Sequence, residues 1–221
     1  MHALATGFSD SLKLNNLRYF FYAILIFIVI AILIQQSLYG LLSDYLITLD
    51  SQDSWLSWAA SLALHALLGV LGYFLIAPIV LMIVSLFSEN IVNNIRQSRY
   101  PQLPVSQGAG GMESVMTTGT ILGKYFLVML LTSPLMLLGI GYVLFFVLGF
   151  LLFRKLLLLD ILGLRMPLQE IQQQSPTRYW WTTGILYLFT LIPGVNLFIP
   201  YLAVCVLSNE AMKQEISHIN Q

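Results

Sequence analysis

Four long stretches of the chain carry no charge, and where each is interrupted sets the elements it predicts. The first runs from Tyr19 to Ser43, with an apolar heart from Tyr19 to Ile34. A hydrocarbon core of roughly 30 Å needs about 20 helical residues to cross, so this stretch predicts a membrane span over about 19–41. It is too long for a signal-peptide core, and Gln35-Gln36-Ser37 is no small-x-small cleavage site. The second stretch, Ser54–Ser88, exceeds one crossing, and Pro78, which cannot donate an intrahelical bond, predicts a kink or break two-thirds of the way along. Beyond it Phe87, Ile91 and Ile95 recur every four residues among Glu89, Asn90, Asn93, Asn94 and Arg96. That spacing predicts an amphipathic helix leaving the membrane, with the span proper at about 55–77.

After a Pro- and Gly-rich connector, Arg99–Glu113, come two stretches of about 30 residues each, Tyr125–Phe153 and Tyr179–Asn209. Pro134, Gly139 and Gly141 interrupt one, and Pro193, Gly194, Asn196 and Pro200 the other. They read as a weak internal repeat of apolar arm, breaker, apolar arm, a pattern that points to a binding or transport site.

Composition makes the membrane unavoidable. Of 221 residues 58% are apolar and 9% charged, against about 25% charged in a soluble domain. A soluble enzyme or a disordered chain is excluded, and a formal net charge of zero argues against nucleic-acid binding. The single Cys205 and the dispersed His2, His65 and His218 leave no disulfide, no metal-ligand set and no expected cofactor.

The charges then decide the topology. Ten basic residues fall at Lys13 and Arg18; Arg96, Arg99 and Lys124; Arg154, Lys155, Arg165 and Arg178; and Lys213, whereas 41–54 carries only Asp44, Asp50 and Asp53. By the positive-inside rule both termini are cytoplasmic and the Asp-bearing loop lies outside. The last two stretches therefore start and end on the same side, yet two full crossings need about 40 residues. The economical fold is an all-α integral membrane protein, a single membrane domain over 1–221. It has two long transmembrane helices, two re-entrant (hemi-penetrating) helical hairpins at about 119–153 and 179–208, and amphipathic cytoplasmic helices. Two closely spaced thin spans per stretch are the alternative. Re-entrant backbone must be shielded by protein or line a wet cavity, which predicts tight packing, a homo-oligomer or a solvent path.

Few residues offer chemistry. Arg18, just ahead of the first span, reads either as a snorkelling anchor or, with the backbone N–H groups of a helix start, as a ligand for a tetrahedral oxyanion. Asp160 interrupts an apolar run after Arg154 and Lys155 and is expected to form a structural ion pair with one of them. His65 is expected to hydrogen-bond across to another helix, Asn196 to cap the returning helix, and Cys205 to fill the core. No catalytic motif or paired carboxylate is present, so no enzyme is expected.

Leu191-Ile-Pro-Gly-Val-Asn-Leu-Phe-Ile-Pro-Tyr-Leu-Ala-Val-Cys205 resembles the signature hairpin of the CysZ sulfate-permease family and its eukaryotic etoposide-induced relatives. Ala77-Pro78, and Leu159-Asp160 followed by Met166-Pro-Leu-Gln-Glu170, are similar to two further family stretches in the same order. The resemblance spans roughly residues 10–213. It implies two long helices with two hemi-penetrating hairpins, in an oligomer of the bacterial inner membrane that passes sulfate inward for sulfur assimilation and cysteine biosynthesis. It implies sulfate binding at a Gly-Leu-Arg motif before the first long helix, which reads Asn16-Leu17-Arg18 here; a second basic residue often found next is Tyr19. Gly163-Leu164-Arg165 matches the motif in letters but stands elsewhere in the fold order. The hairpin breaks at Pro134, Gly139 and Gly141 and at Pro193, Asn196 and Pro200 would then line the route. A non-transporting scaffold or lipid-organising protein on the same fold is the other reading.

Overall fold

A computed structural model of the chain describes residues 2–50, 55–104, 111–132, 134–135, 139–163 and 179–219. Every regular element among them is a helix: α1 His2–Ser11, α2 Leu14–Asp50, α3 Trp55–Arg99, α4 Gly111–Thr132, α5 Ile140–Leu162, α6 Trp180–Phe189 and α7 Val195–Ile219. Segments of α2, α3, α5 and α7 are long and apolar enough to cross a bilayer: Leu14–Ser37, Ile79–Arg99, Ile140–Leu162 and Val195–Ser217. The protein is an all-helical membrane protein. The expected second span, 55–77, is helical backbone, while most side chains from 64 to 78 lie outside the described ones.

The two breaks fall where glycine allows them. Gly139 (φ 78°) precedes α5 and Gly194 (φ 83°) precedes α7, both in the left-handed region that a Cβ disfavours. Pro134 sits in a short turn before the first, and Pro193 in the turn before the second. α4 packs against α5 and α6 against α7, so each stretch is a helical hairpin.

Three expected interruptions do not occur. α3 continues unbroken through Pro78, α7 through Pro200, and Gly141 is a buried residue of α5 rather than part of the break. A proline removes one i→i−4 bond, whereas ending a helix strands four N–H or C=O groups. In apolar surroundings the second loss is far larger, so the helix runs on.

Among the described side chains, the core gathers parts of α3, α5 and α7. Val80–Ile95 of α3, Leu152–Ile161 of α5 and Ile199–Met212 of α7 bury their apolar side chains together, joined by Ala23 of α2 and by Leu103. Only 6% of the apolar window of α2 is buried, and Phe21, Leu25, Ile28, Val29, Ile32 and Leu33 are exposed. In water that would be an aggregating patch; in a bilayer these side chains meet hydrocarbon.

Two glycines mark close approaches. A Cβ on Gly7 of α1 would lie 2.5 Å from Cα of Val206 in α7. A Cβ on Gly149 of α5 would collide with the Tyr187 hydroxyl of α6 and lie 3.6 Å from that of Tyr125 in α4. Tyr187 is ringed by Phe146, Phe150 and Phe153 at 5.3–5.7 Å, and its hydroxyl donates to the Phe146 carbonyl at 3.1 Å. Tyr187 stands just before the second tip and Phe146 just after the first. The two hairpins therefore lie side by side with their tips at the same end.

Candidate functional site

The N-terminal end of α2 begins with a tight link. The short segment after α1 returns so that the backbone N–H groups of Asn16 and Leu17 both donate to the Lys13 carbonyl, at 2.9 and 2.8 Å. The expected convergence of two free amides with Arg18 therefore does not form, because those donors close the first turn of α2. The Asn16 side chain is equally committed. It is 2% exposed, donates Nδ2 to the Asp10 carbonyl at 3.0 Å and accepts from Asn94 Nδ2 at 3.1 Å. Asn94 also donates to the Asn15 carbonyl at 3.3 Å.

Arg18 points the other way. It is exposed, its guanidinium lies 4.8 Å from the Tyr19 ring centroid, and Nη2 donates to the Tyr19 hydroxyl at 2.9 Å. The Tyr19 ring rests on Phe87 of α3, 5.7 Å between centroids. Among the described residues no carboxylate pairs with Arg18; Lys13 and Arg99 pair with Asp10 instead.

Behind this turn lies a hub that sequence reading missed. Asp10, fully buried, receives Lys13 Nζ at 2.7 Å, Arg99 Nε at 2.6 Å and Asn209 Nδ2 at 2.9 Å. Tyr100 donates to Asn209 at 3.3 Å, and Tyr201 donates to the Ser11 carbonyl at 2.8 Å. Burial alone would raise the Asp10 pKa, but hydrogen bonds from Lys13, Arg99 and Asn209 outweigh it and hold the carboxyl below its ordinary value. One carboxylate thus ties α1 to α3 and α7, while its own carbonyl fixes α2. Partners 89 and 199 residues distant in the chain leave no local spacing to find.

Other expectations need correction. Asp160 is buried with Oδ2 lacking a hydrogen-bond partner, and it forms no ion pair with Arg154 or Lys155. At about 100° per residue, five or six positions along a helix place side chains far apart around it; the Arg154 guanidinium instead lies over Trp180 at 5.2 Å. His65 Nδ1 meets the Ser61 carbonyl of its own helix at 2.8 Å rather than another helix. Asn196 is the second residue of α7 and buried, so Gly194, not Asn196, occupies the capping position. Cys205 is a buried core residue as expected. Of the six break residues, Pro134, Gly139 and Pro193 are exposed at the tips, and Gly141, Asn196 and Pro200 are buried within helices. Met166–Glu170 and Arg165 lie outside the described residues.

Two helical hairpins pack beside two long helices, and comparison with family models is decisive: the model described as Sulfate transporter CysZ/Etoposide-induced protein 2.4 matches residues 3–200. The chain belongs to this family. No curated protein and no solved structure matches it significantly. The CysZ/etoposide-induced match reaches from α1 into α7. It takes in Asp10, Asn16, Arg18 and both hairpin tips, and it agrees with the resemblance read from Leu191–Cys205 and the two shorter stretches.

Proposed function

We propose that this protein is an oxyanion permease of the bacterial inner membrane that admits sulfate for sulfur assimilation. Its two hairpins enter from the cytoplasmic side and return, and both termini are cytoplasmic. Arg18 is the cation that meets the anion, and it works in a homo-oligomer that shields the hairpin breaks. The observation that carries the reading is an exposed arginine near the N-terminus of the long apolar helix α2, with no acidic partner among the described residues. A pure anchor needs only the charge; an unneutralised guanidinium also offers paired donors to a tetrahedral oxyanion. The family description, a sulfate transporter, supplies the substrate class.

Packing supports the re-entrant arrangement. Phe20, at the start of the apolar run of α2, meets Phe198 edge-to-face at 5.1 Å and packs tilted against Tyr201 at 5.5 Å. The tip at Gly194 is four residues beyond Phe198, about 6 Å along a helix, whereas α2 continues to Asp50. The second hairpin therefore reaches a short way up α2. Cysteines placed at the exposed Leu135 and Val195 are expected to resist a membrane-impermeant maleimide added outside intact cells; labelling as efficient as at an outer-loop cysteine would mean that the hairpins cross.

The functional test is sulfate binding by purified protein in detergent, with phosphate and chloride as competitors. Hydrogen bonds to charged groups contribute about 1.5–3 kcal/mol, so Arg18→Ala should weaken binding by about 10- to 100-fold. Absence of saturable binding by folded wild-type protein would instead favour a scaffold or lipid-organising role on the same fold.

A further inference from the structure

We propose that Tyr19 is itself an oxyanion ligand, its phenolic O–H donating to the anion that Arg18 holds; this rests on the reading of Arg18 above. The Tyr19 oxygen accepts from Arg18 Nη2 at 2.9 Å. A phenol that accepts through a lone pair keeps its own proton to donate, and among the described residues that proton finds no protein acceptor. The guanidinium, for its part, has five N–H donors in a planar fork and spends one on Tyr19. The phenolic O–H and the remaining guanidinium N–H groups therefore stand within one hydrogen-bond length of each other, 2.9 Å between the phenol oxygen and Nη2, so one multi-oxygen anion can engage both.

The pair is held in place from behind. The Tyr19 ring packs on Phe87 at 5.7 Å and edge-on to Tyr22 at 6.3 Å, which fixes the phenol on the seam between α2 and α3. The guanidinium over the same ring is restrained by it. Accepting a bond from a cation polarises the phenol and makes it the stronger donor. The ligand class is a multi-oxygen anion such as sulfate; chloride can use the charge but not the two-point geometry.

Calorimetric titration of sulfate into purified full-length protein, Tyr19→Phe beside wild type and Arg18→Ala, tests this. Phenylalanine keeps the ring packing, so the variant should fold, and loss of one bond to a charged ligand should weaken sulfate about 10-fold with a smaller change for chloride. A second arm separates contact from support: 3-fluorotyrosine at position 19 is a better donor and a poorer acceptor. It should tighten sulfate if the phenol touches the ion. Weaker binding with 3-fluorotyrosine would reduce Tyr19 to a support for Arg18 and overturn the proposal. Unchanged affinity in Tyr19→Phe, with Arg18→Ala defective, would overturn it while leaving the permease reading intact. A wild type that binds no sulfate would overturn both.

Discussion

Gly7→Val is expected to destabilise the protein by on the order of 3 kcal/mol, at the upper end for overpacking a close contact. The helices α1 and α7 cross there with no room for a side chain: a Cβ at Gly7 would meet Cα, Cγ2 and N of Val206 at 2.5, 2.5 and 2.9 Å. Two of these three atoms are backbone, so no rotamer change relieves the clash, and α1 must lift from α7. For a chain of this size about 2–4 °C of melting temperature accompanies each kcal/mol, so a drop of about 10 °C in detergent should be seen. Gly119 is the control. Nothing lies within 4 Å of a Cβ built there, and inside a helix Gly→Ala should be stabilising by roughly 0.5–1 kcal/mol. Equal behaviour of the two glycines would show that α1 does not pack on α7 as described.

The second large effect concerns Asp10. Removing it as Asp10→Ala leaves Arg99 and Asn209 without their shared acceptor and unties α1 from α3 and α7. Breaking a buried pair costs about 3–5 kcal/mol, but Lys13 and Arg99 are 44% and 32% exposed and rehydrate, so about 2–3 kcal/mol is expected. The pH dependence follows from the depressed carboxyl. Despite burial, the bonds from Lys13, Arg99 and Asn209 lower its folded pKa below 3.8. The corresponding stability is fully present above the unfolded value and is lost as the pH falls through the folded one. Melting temperature measured from pH 7 down to about pH 3 should therefore fall at the acid end in wild type, and fall less in Asp10→Asn. An acid limb of equal depth in both would assign it to other groups.

Much of the fold was legible because it depends on neighbours in the chain. Charge-free runs longer than a bilayer crossing mark membrane helices wherever the rest of the protein lies. The breaks before Ile140 and Val195 were readable because Gly139 and Gly194 can take a left-handed backbone that other residues resist. Pro78 and Pro200 misled for the complementary reason: local chemistry says that a bond is lost, but only the surroundings say whether ending the helix would lose more.

The site was legible to a smaller degree. Arg18 stood out as a charge at the edge of an apolar run, and the structure leaves it exposed and without an acidic partner among the described residues. Asn16 carried no signal that its amide and side chain were already spent on Lys13, Asp10 and Asn94. Asp160 invited a pairing that the helical turn forbids.

The sequence by itself determined that this chain lives in a membrane, that it is helical, and where its two hairpins turn, since hydropathy and glycine conformation act over a few residues. Only the tertiary structure decided that Asp10 joins α1 to helices 89 and 199 residues away, that Gly7 and Gly149 are contact points, and that Tyr19 stands beside Arg18 with its ring on Phe87. These are distances between segments far apart in the chain, and no periodicity in the sequence encodes them.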